Sequence, residues 1–148
     1  MHPNVTAVVG HVLEETGLPP ESLVLEIKES VLHEDPMSVM KKLGVTFTVD
    51  NFGAGSSSLQ QLRRFPLDVL KIDSSFIRSF LETQEDCVLV SAVINLAHAL
   101  KLKVVVPGVE NPRQLMQLKE MGCEVAQGHY FAEGLSHRAA FLVADVYY

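Results

Sequence analysis

Short apolar runs alternate with longer amphipathic segments along the chain. The runs are rich in valine, isoleucine and leucine, as are strands that are covered on both faces of a sheet. They predict five strands, at residues 23–27, 45–50, 68–73, 103–106 and 124–128, with a sixth starting at residues 129–131. The pattern therefore indicates a sheet whose strands are separated by other elements.

The longer segments between these runs predict helices. From Val5 to Leu13, apolar residues recur at helical spacing, and Gly17 and Pro19 follow them as stop signals. Helices are predicted at residues 1–16, 36–43, 57–64, 86–100, 112–121 and 136–144. Because strands and helices alternate, the sequence predicts right-handed βαβ units, a mainly parallel sheet and the α/β class.

Composition and charge narrow the range of functions. The 148 residues are 47% hydrophobic and 20% charged, which is typical of one globular domain spanning residues 1–148. A net charge of −6 argues against a nucleic-acid polymer as partner, and no apolar run has the ~18 residues of a membrane span. Cys87 and Cys123 match no metal or CxxC spacing, so we expect reduced thiols and a cytoplasmic protein.

Polar side chains lie at or just after the ends of the predicted strands. They are Glu26, Asp50, Asn51, Lys71, Asp73, Glu110 and Gln127. In a parallel βα barrel the carboxyl ends of the strands meet on one face, where carboxylates repel one another unless a cation lies among them. Mg²⁺ prefers oxygen ligands of this kind, and a lysine beside them suits a phosphate or a polarised water. The pattern favours metal-assisted phosphoryl transfer or hydrolysis, with helix caps and loop-solvating groups as the structural alternative.

Several longer segments carry a resemblance to a known family. These segments are "EETGLPPESL", "LVLEIKES", "VDNFGAGSSSLQQLRRFPLDVLKIDSSFI" and "VVVPGVENPRQLMQLKEMGCEVAQGHYF". In order and spacing they resemble the EAL family of bacterial phosphodiesterases, which hydrolyse cyclic di-GMP to pGpG. The resemblance covers essentially the whole chain. It implies a modified TIM-type barrel, two Mg²⁺ or Mn²⁺ ions and a metal-activated water.

The resemblance implies roles for five of the residues. Glu26 matches a metal-binding Glu of the family, and Asp50 matches the Asp that both metals share. Lys71 matches the lysine near the attacking water, and Asp73 matches its acidic neighbour in the metal site. Glu29 matches the Glu that steadies the loop after the Asp pair, although a simple loop cap is the alternative.

Three substitutions depart from the family pattern. Asn51 stands in place of the second Asp of the family's pair, and Pro107 stands in place of a metal-site Glu. Lys28 stands where the family usually has a small polar residue such as Thr, and we expect it to face solvent. Glu110 and Gln127 do match the family and are expected to bind ligand, although Glu110 also suits a loop cap.

The first two strands of the family have no counterpart in this sequence. The Glu-Ala-Leu signature and the Asn that follows it are absent, and a complete barrel typically has ~250 residues. We therefore expect a truncated EAL-like domain, an incomplete TIM-type βα barrel lacking the first two strands. Its open side predicts a homo-oligomer such as a dimer, or a protein partner that covers the exposed strand edges. The alternative is that the sequence is a fragment of a longer GGDEF–EAL type protein.

Three functional hypotheses follow from these observations. The first is a degenerate, catalytically inactive EAL-family domain that acts as a regulatory or protein-interaction module, with Mg²⁺ or Mn²⁺ absent or weakly bound. The second is a receptor that binds cyclic di-GMP without cleaving it. The third is a working cyclic di-GMP phosphodiesterase whose missing metal ligands come from another chain. The losses at Asn51 and Pro107 favour the first hypothesis.

Overall fold

The strands form one parallel sheet whose spatial order follows the order of the chain. In this computed structural model, which describes residues 5–28, 37–53 and 59–131, the sheet has five strands in the order β1-β2-β3-β4-β5. Their bounds are β1 Val24–Lys28, β2 Thr46–Phe52, β3 Val69–Ile72, β4 Lys103–Val106 and β5 Val125–Ala126. All neighbouring pairs are parallel, so the predicted α/β class and parallel sheet are confirmed.

Helices connect the strands, and three of the described helices begin at side-chain caps, at Asp73, Thr83 and Asn111. The helices are α1 Val5–Thr16, α2 Met37–Lys42, α3 Leu59–Arg64, α4 Ser74–Ser79, α5 Gln84–Ala99 and α6 Pro112–Glu120, with a short 3₁₀ helix at Pro20–Ser22. Before α5, the Thr83 hydroxyl accepts a hydrogen bond from the Asp86 N–H at 3.1 Å. Before α6, Asn111 accepts one from the Gln114 N–H at 3.0 Å. Each cap satisfies a helix N–H that has no partner within the helix.

Two local predictions differ from the structure. Strand β3 ends at Ile72 because Asp73 caps α4, a helix that the sequence pattern did not predict. The sixth strand predicted at residues 129–131 is wrong, because these residues form a turn in which the Phe131 N–H donates to the Gly128 carbonyl at 3.1 Å. Predictions that fall on residues 1–4, 36, 57–58 and 136–144 lie outside the described residues.

One face of the sheet packs against helices and forms the core. Six side chains of the three central strands lie on this face, each at most 1% exposed: Phe47, Val49, Leu70, Ile72, Val104 and Val106. Ile77 of α4, Phe80 just after α4 and Ile94 of α5 are fully buried in the same cluster. Since burying one such side chain is worth about 1.5–3 kcal/mol, this face supplies most of the apolar stabilisation.

The opposite face of the sheet carries more polar and more exposed side chains. Because side chains alternate along a strand, Glu26 and Asp50 lie on this face. At its two edges Val24 of β1 is 50% exposed and Val125 of β5 is 40% exposed. In the centre Thr48 of β2 is buried. The carboxyl end of this face holds the candidate site.

A charged clamp fixes the amino-terminal ends of two strands. The Asp68 carboxylate, just before β3, forms an ion pair with Lys41 of α2. It also accepts a hydrogen bond from the Phe47 N–H of β2 at 2.8 Å, and the Asp68 N–H donates to the Phe47 carbonyl at 3.0 Å. The clamp joins α2, β2 and β3 at the end of the sheet opposite the site.

Candidate functional site

Three charged side chains meet at the carboxyl end of β1, β2 and β3. The Lys71 ammonium lies 3.0 Å and 3.2 Å from the two carboxylate oxygens of Glu26. It also lies 3.8 Å from an Asp50 carboxylate oxygen. The lysine side chain is 18% exposed, against 22% for Asp50 and 49% for Glu26. A half-buried cation is therefore held between two carboxylates on neighbouring strands.

An irregularity at the end of β2 shapes the rim beside this trio. The pairing of β2 with β3 shifts between Val49 and Phe52. Within that shift Asn51 has a φ of +56° and an exposed side chain. A left-handed backbone is uncommon outside glycine but is tolerated by asparagine. The bulge therefore turns the Asn51 amide outward and lets Phe52 return to the core.

Asp73 has a structural partner at the start of α4. Its carboxylate accepts a hydrogen bond from the Ser75 N–H at 2.8 Å. The Ser75 hydroxyl and then the Ser75 N–H hold the pKa of Asp73 below its usual value, since both stabilise the carboxylate. Within the described residues, no hydrogen bond or ion pair joins this carboxylate to Lys71.

The loops after β4 and β5 complete the rim of the site. Pro107 follows β4 directly and is half-buried, so this position has no side-chain oxygen. The Gln127 N–H donates to the Val106 carbonyl at 2.8 Å, and the Val109 N–H donates to the Gln127 carbonyl at 2.9 Å. The Gln127 side chain is exposed.

The loop that carries Glu110 is tied to the core through Gln114. The Glu110 N–H donates to the buried Gln114 side chain at 2.7 Å, and the Gln114 amide donates to the Ile77 carbonyl at 3.3 Å. The Glu110 carboxylate itself is exposed. Among the described residues, neither Glu110 nor Gln127 bonds to the trio through its side chain. Glu29 lies outside the described residues.

The donors at this rim do not fit a site for two divalent metals. Within residues 5–28, 37–53 and 59–131, no three His, Cys, Asp or Glu side chains converge closely enough to hold a metal ion. Glu26 and Asp50 are the two carboxylates that meet, and both already face the Lys71 ammonium. Mg²⁺ takes octahedral oxygen ligands, commonly one or two carboxylates with several waters, so two carboxylates are few for two ions. The two Mg²⁺ or Mn²⁺ ions that the resemblance implies for the family therefore have no cluster of three such ligands among the described side chains.

Sequence reasoning missed the role of two polar residues, of which Gln114 supports the rim and Asp68 lies at the opposite end of the sheet. Gln114 was not predicted, because a glutamine within a helix carries no signal of its burial. Asp68 was predicted only as the start of a strand. A single acidic residue ahead of an apolar run is a common pattern, and its contact with Lys41 joins positions far apart in sequence.

These features define a parallel α/β domain with an acid–lysine site at the carboxyl end of its strands. Residues 1–134 match the family described as EAL domain, and the chain belongs to this family. The cyclic di-GMP phosphodiesterase NbdA of Pseudomonas aeruginosa is 43% identical over 133 residues, which are 86% of this chain and 17% of NbdA. The resemblance inferred from the motifs is thereby confirmed.

Two solved structures agree with this assignment. The PaMucR phosphodiesterase in its c-di-GMP complex has a TM-score of 0.89 and 32% identity, over 94% of this chain and 59% of that one. BlrP1 of Klebsiella pneumoniae, solved as a manganese/cy-diGMP complex, has a TM-score of 0.80 and 26% identity, over 89% of this chain and 35% of that one. The chain thus spans only part of the relatives it matches.

Among the helices in the described part of the chain, none has both the length and the apolar character that crossing a membrane requires.

Proposed function

We propose that this chain is a catalytically inactive EAL-family domain that acts in cyclic di-GMP signalling as a regulatory or protein-interaction module. One observation carries the proposal. Lys71 is paired with both Glu26 and Asp50, while Asn51 and Pro107 bring no carboxylate to the same rim.

The energetic argument rests on how phosphodiester hydrolysis uses metals. A two-metal site works by fixing both the attacking and the leaving oxygen, which requires preorganised carboxylate ligands. Loss of a single preorganised electrostatic contact commonly costs about 10²–10³-fold in rate. Asn51 offers a neutral amide and Pro107 offers no side-chain oxygen, so two contacts are lost together. Mg²⁺ or Mn²⁺ is accordingly bound weakly or not at all in this proposal.

The direct test is hydrolysis of cyclic di-GMP by the 148-residue chain in the presence of Mn²⁺. We expect no pGpG above the level of the buffer control. An active EAL phosphodiesterase serves as the positive control, and turnover by the chain at a comparable rate would overturn the proposal. The double variant Asn51→Asp, Pro107→Glu is the informative comparison. Product from this variant alone would assign the inactivity to these two positions.

A second candidate function is a receptor that binds cyclic di-GMP without cleaving it. Glu110 and Gln127 favour it, because both side chains remain exposed in the loops that follow β4 and β5. The similarity to the PaMucR complex with c-di-GMP also supports it. Calorimetric titration with cyclic di-GMP, with Ca²⁺ present to suppress turnover, separates the two functions. Micromolar binding favours the receptor, and absence of heat favours a module that works through protein contacts.

The exposed edge strands of the sheet suggest where protein contacts would form. We propose that the five strands are part of an incomplete TIM-type barrel whose open side pairs with a second copy of the chain or with another protein. The half-exposed Val24 and Val125 on the two edge strands support this, because apolar edges favour association. Light scattering that gives a stable monomer for the 148-residue chain would exclude the second copy.

A further inference from the structure

A fourth charged residue shares the face that carries the trio. Lys28 is the last residue of β1 and follows Glu26 by two positions, so strand alternation directs both side chains to the same face. The intervening Ile27 is buried on the core side. In the parallel pairing of β1 with β2, Lys28 lies directly beside Asp50. The site therefore contains two lysines and two carboxylates on three adjacent strands.

The charges of these four residues alternate in sign and sum to zero. Lys71 contacts both carboxylates from β3. Lys28 is exposed and forms no ion pair with any residue in the described part of the chain, although its register places it beside Asp50. Its long, flexible stem lets the ammonium move over the mouth of the site. The carboxylates thus have counter-charges that belong to the protein itself.

We propose that Lys28 adds a second positive charge to that of Lys71 beside Asp50, and that it thereby lowers the affinity of the site for Mg²⁺ and Mn²⁺. A dication bound by Asp50 would lie near the Lys28 side chain, because the two residues are paired in register on one face of the sheet. Repulsion between a dication and an ammonium at that range is substantial even where water screens it. This inference rests on the proposed function, which includes weak metal binding, and adds the residue that weakens it.

The test is Mn²⁺ binding to the 148-residue chain, measured by electron paramagnetic resonance of the free ion. We expect Lys28→Thr to bind Mn²⁺ about tenfold more tightly than the parent, the size expected for removal of one nearby positive charge. Lys28→Arg keeps the charge and is expected to bind like the parent. Lys103→Thr is the matched control, because Lys103 is an exposed lysine at the amino end of β4, at the opposite end of the sheet.

Ionic strength adds an independent readout. The difference in Mn²⁺ affinity between Lys28→Thr and the parent should shrink as the KCl concentration is raised, because salt screens an exposed ammonium. The inference is wrong if Lys28→Thr binds Mn²⁺ no more tightly than the parent. It is also wrong if Lys103→Thr increases the Mn²⁺ affinity as much as Lys28→Thr does. Its failure is distinct from that of the proposed function. Cleavage of cyclic di-GMP by the parent would overturn the proposed function and leave these binding constants unchanged.

Discussion

Gly128 lies where the chain leaves β5 and crosses the backbone of Val109. Its φ is +152°, and a Cβ at this position would lie 2.2 Å from the Val109 carbonyl oxygen and 2.4 Å from the Val109 nitrogen. Backbone atoms cannot move aside as a flexible side chain does. The close approach of the two loops at the rim therefore requires glycine.

Replacement of Gly128 with alanine is expected to lower the free energy of unfolding by about 2 kcal/mol or more, because the new methyl group collides with the Val109 backbone. Gly10→Ala is the matched control. Gly10 lies within α1, and a methyl group there would meet no atom of a neighbouring element within 4 Å in the described part of the chain. Alanine at this position should therefore stabilise the fold by about 0.5–1 kcal/mol. Urea unfolding of both variants checks the pair, and equal effects would contradict the steric argument.

The site residues differ in how far the sequence predicts their surroundings. Strand alternation is enough to predict that Glu26, Asp50 and Lys71 lie together, and they do. Strand alternation does not predict the surroundings of Asp73, because its carboxylate accepts a hydrogen bond from the Ser75 N–H. It also leaves the left-handed backbone of Asn51 unpredicted, since the shift in pairing depends on β3. The metal and ligand roles of these residues stay predictions.

Among the elements, the amino ends of β2 and β3 depend on one carboxylate. Asp68 pairs with Lys41 of α2 and accepts the Phe47 N–H of β2. The side chains of Lys41 and Asp68 are about one-third exposed, at 35% and 34%. Water therefore screens the ion pair, and the hydrogen bond to the backbone is the stronger part of the clamp.

Asp68→Ala is expected to lower the free energy of unfolding by about 2 kcal/mol, because the Phe47 N–H loses its side-chain acceptor and the ion pair is lost as well. Lys41→Met removes the ion pair alone and should cost about 1 kcal/mol or less. Chemical denaturation of the two variants measures both changes in the free energy of unfolding. If Lys41→Met costs as much as Asp68→Ala, the backbone contact is not what stabilises this end of the sheet.

Element length explains which parts of the fold the sequence predicts. In the described part of the chain the longest helix, α5, spans several turns, so its apolar period is clear and the prediction of residues 86–100 falls on it. Helix α4 has six residues, too few to establish a period. The wrong sixth strand covers Tyr130 and Phe131, whose aromatic rings suit a strand. The Phe131 N–H instead closes a turn onto the Gly128 carbonyl, and the Tyr130 N–H donates to the Val109 carbonyl.

Across the whole molecule, Glu124 connects three elements through one carboxylate. It lies 2.8 Å from the His98 ring nitrogen near the end of α5 and accepts the Val104 N–H of β4 at 3.0 Å. Burial alone would raise the pKa of Glu124. The backbone N–H groups of Val104 and Glu124 and the His98 ring outweigh this and hold the pKa below its ordinary value of 4.5.

This lowered pKa predicts how stability changes in acid. A carboxylate with a depressed pKa in the folded state stabilises the fold above the unfolded-state value of 4.5, and this contribution is lost as the pH falls through the folded-state pKa. Asp73 acts in the same direction. Urea unfolding from neutral pH down through 4.5 should therefore show falling stability, with a shallower fall for Glu124→Gln. An unchanged slope in that variant would contradict the assignment.

The sequential order of the strands makes the sheet a one-dimensional array. Among the described residues each strand borders only its neighbours in the chain, so an interior strand such as β3 is held from two sides and the edge strands β1 and β5 from one. Local unfolding of such an array starts at its edge strands and spreads inward, as it does in repeat proteins. The amide protons of Val49 and Leu70 should consequently exchange with solvent most slowly, and those of β5 most quickly.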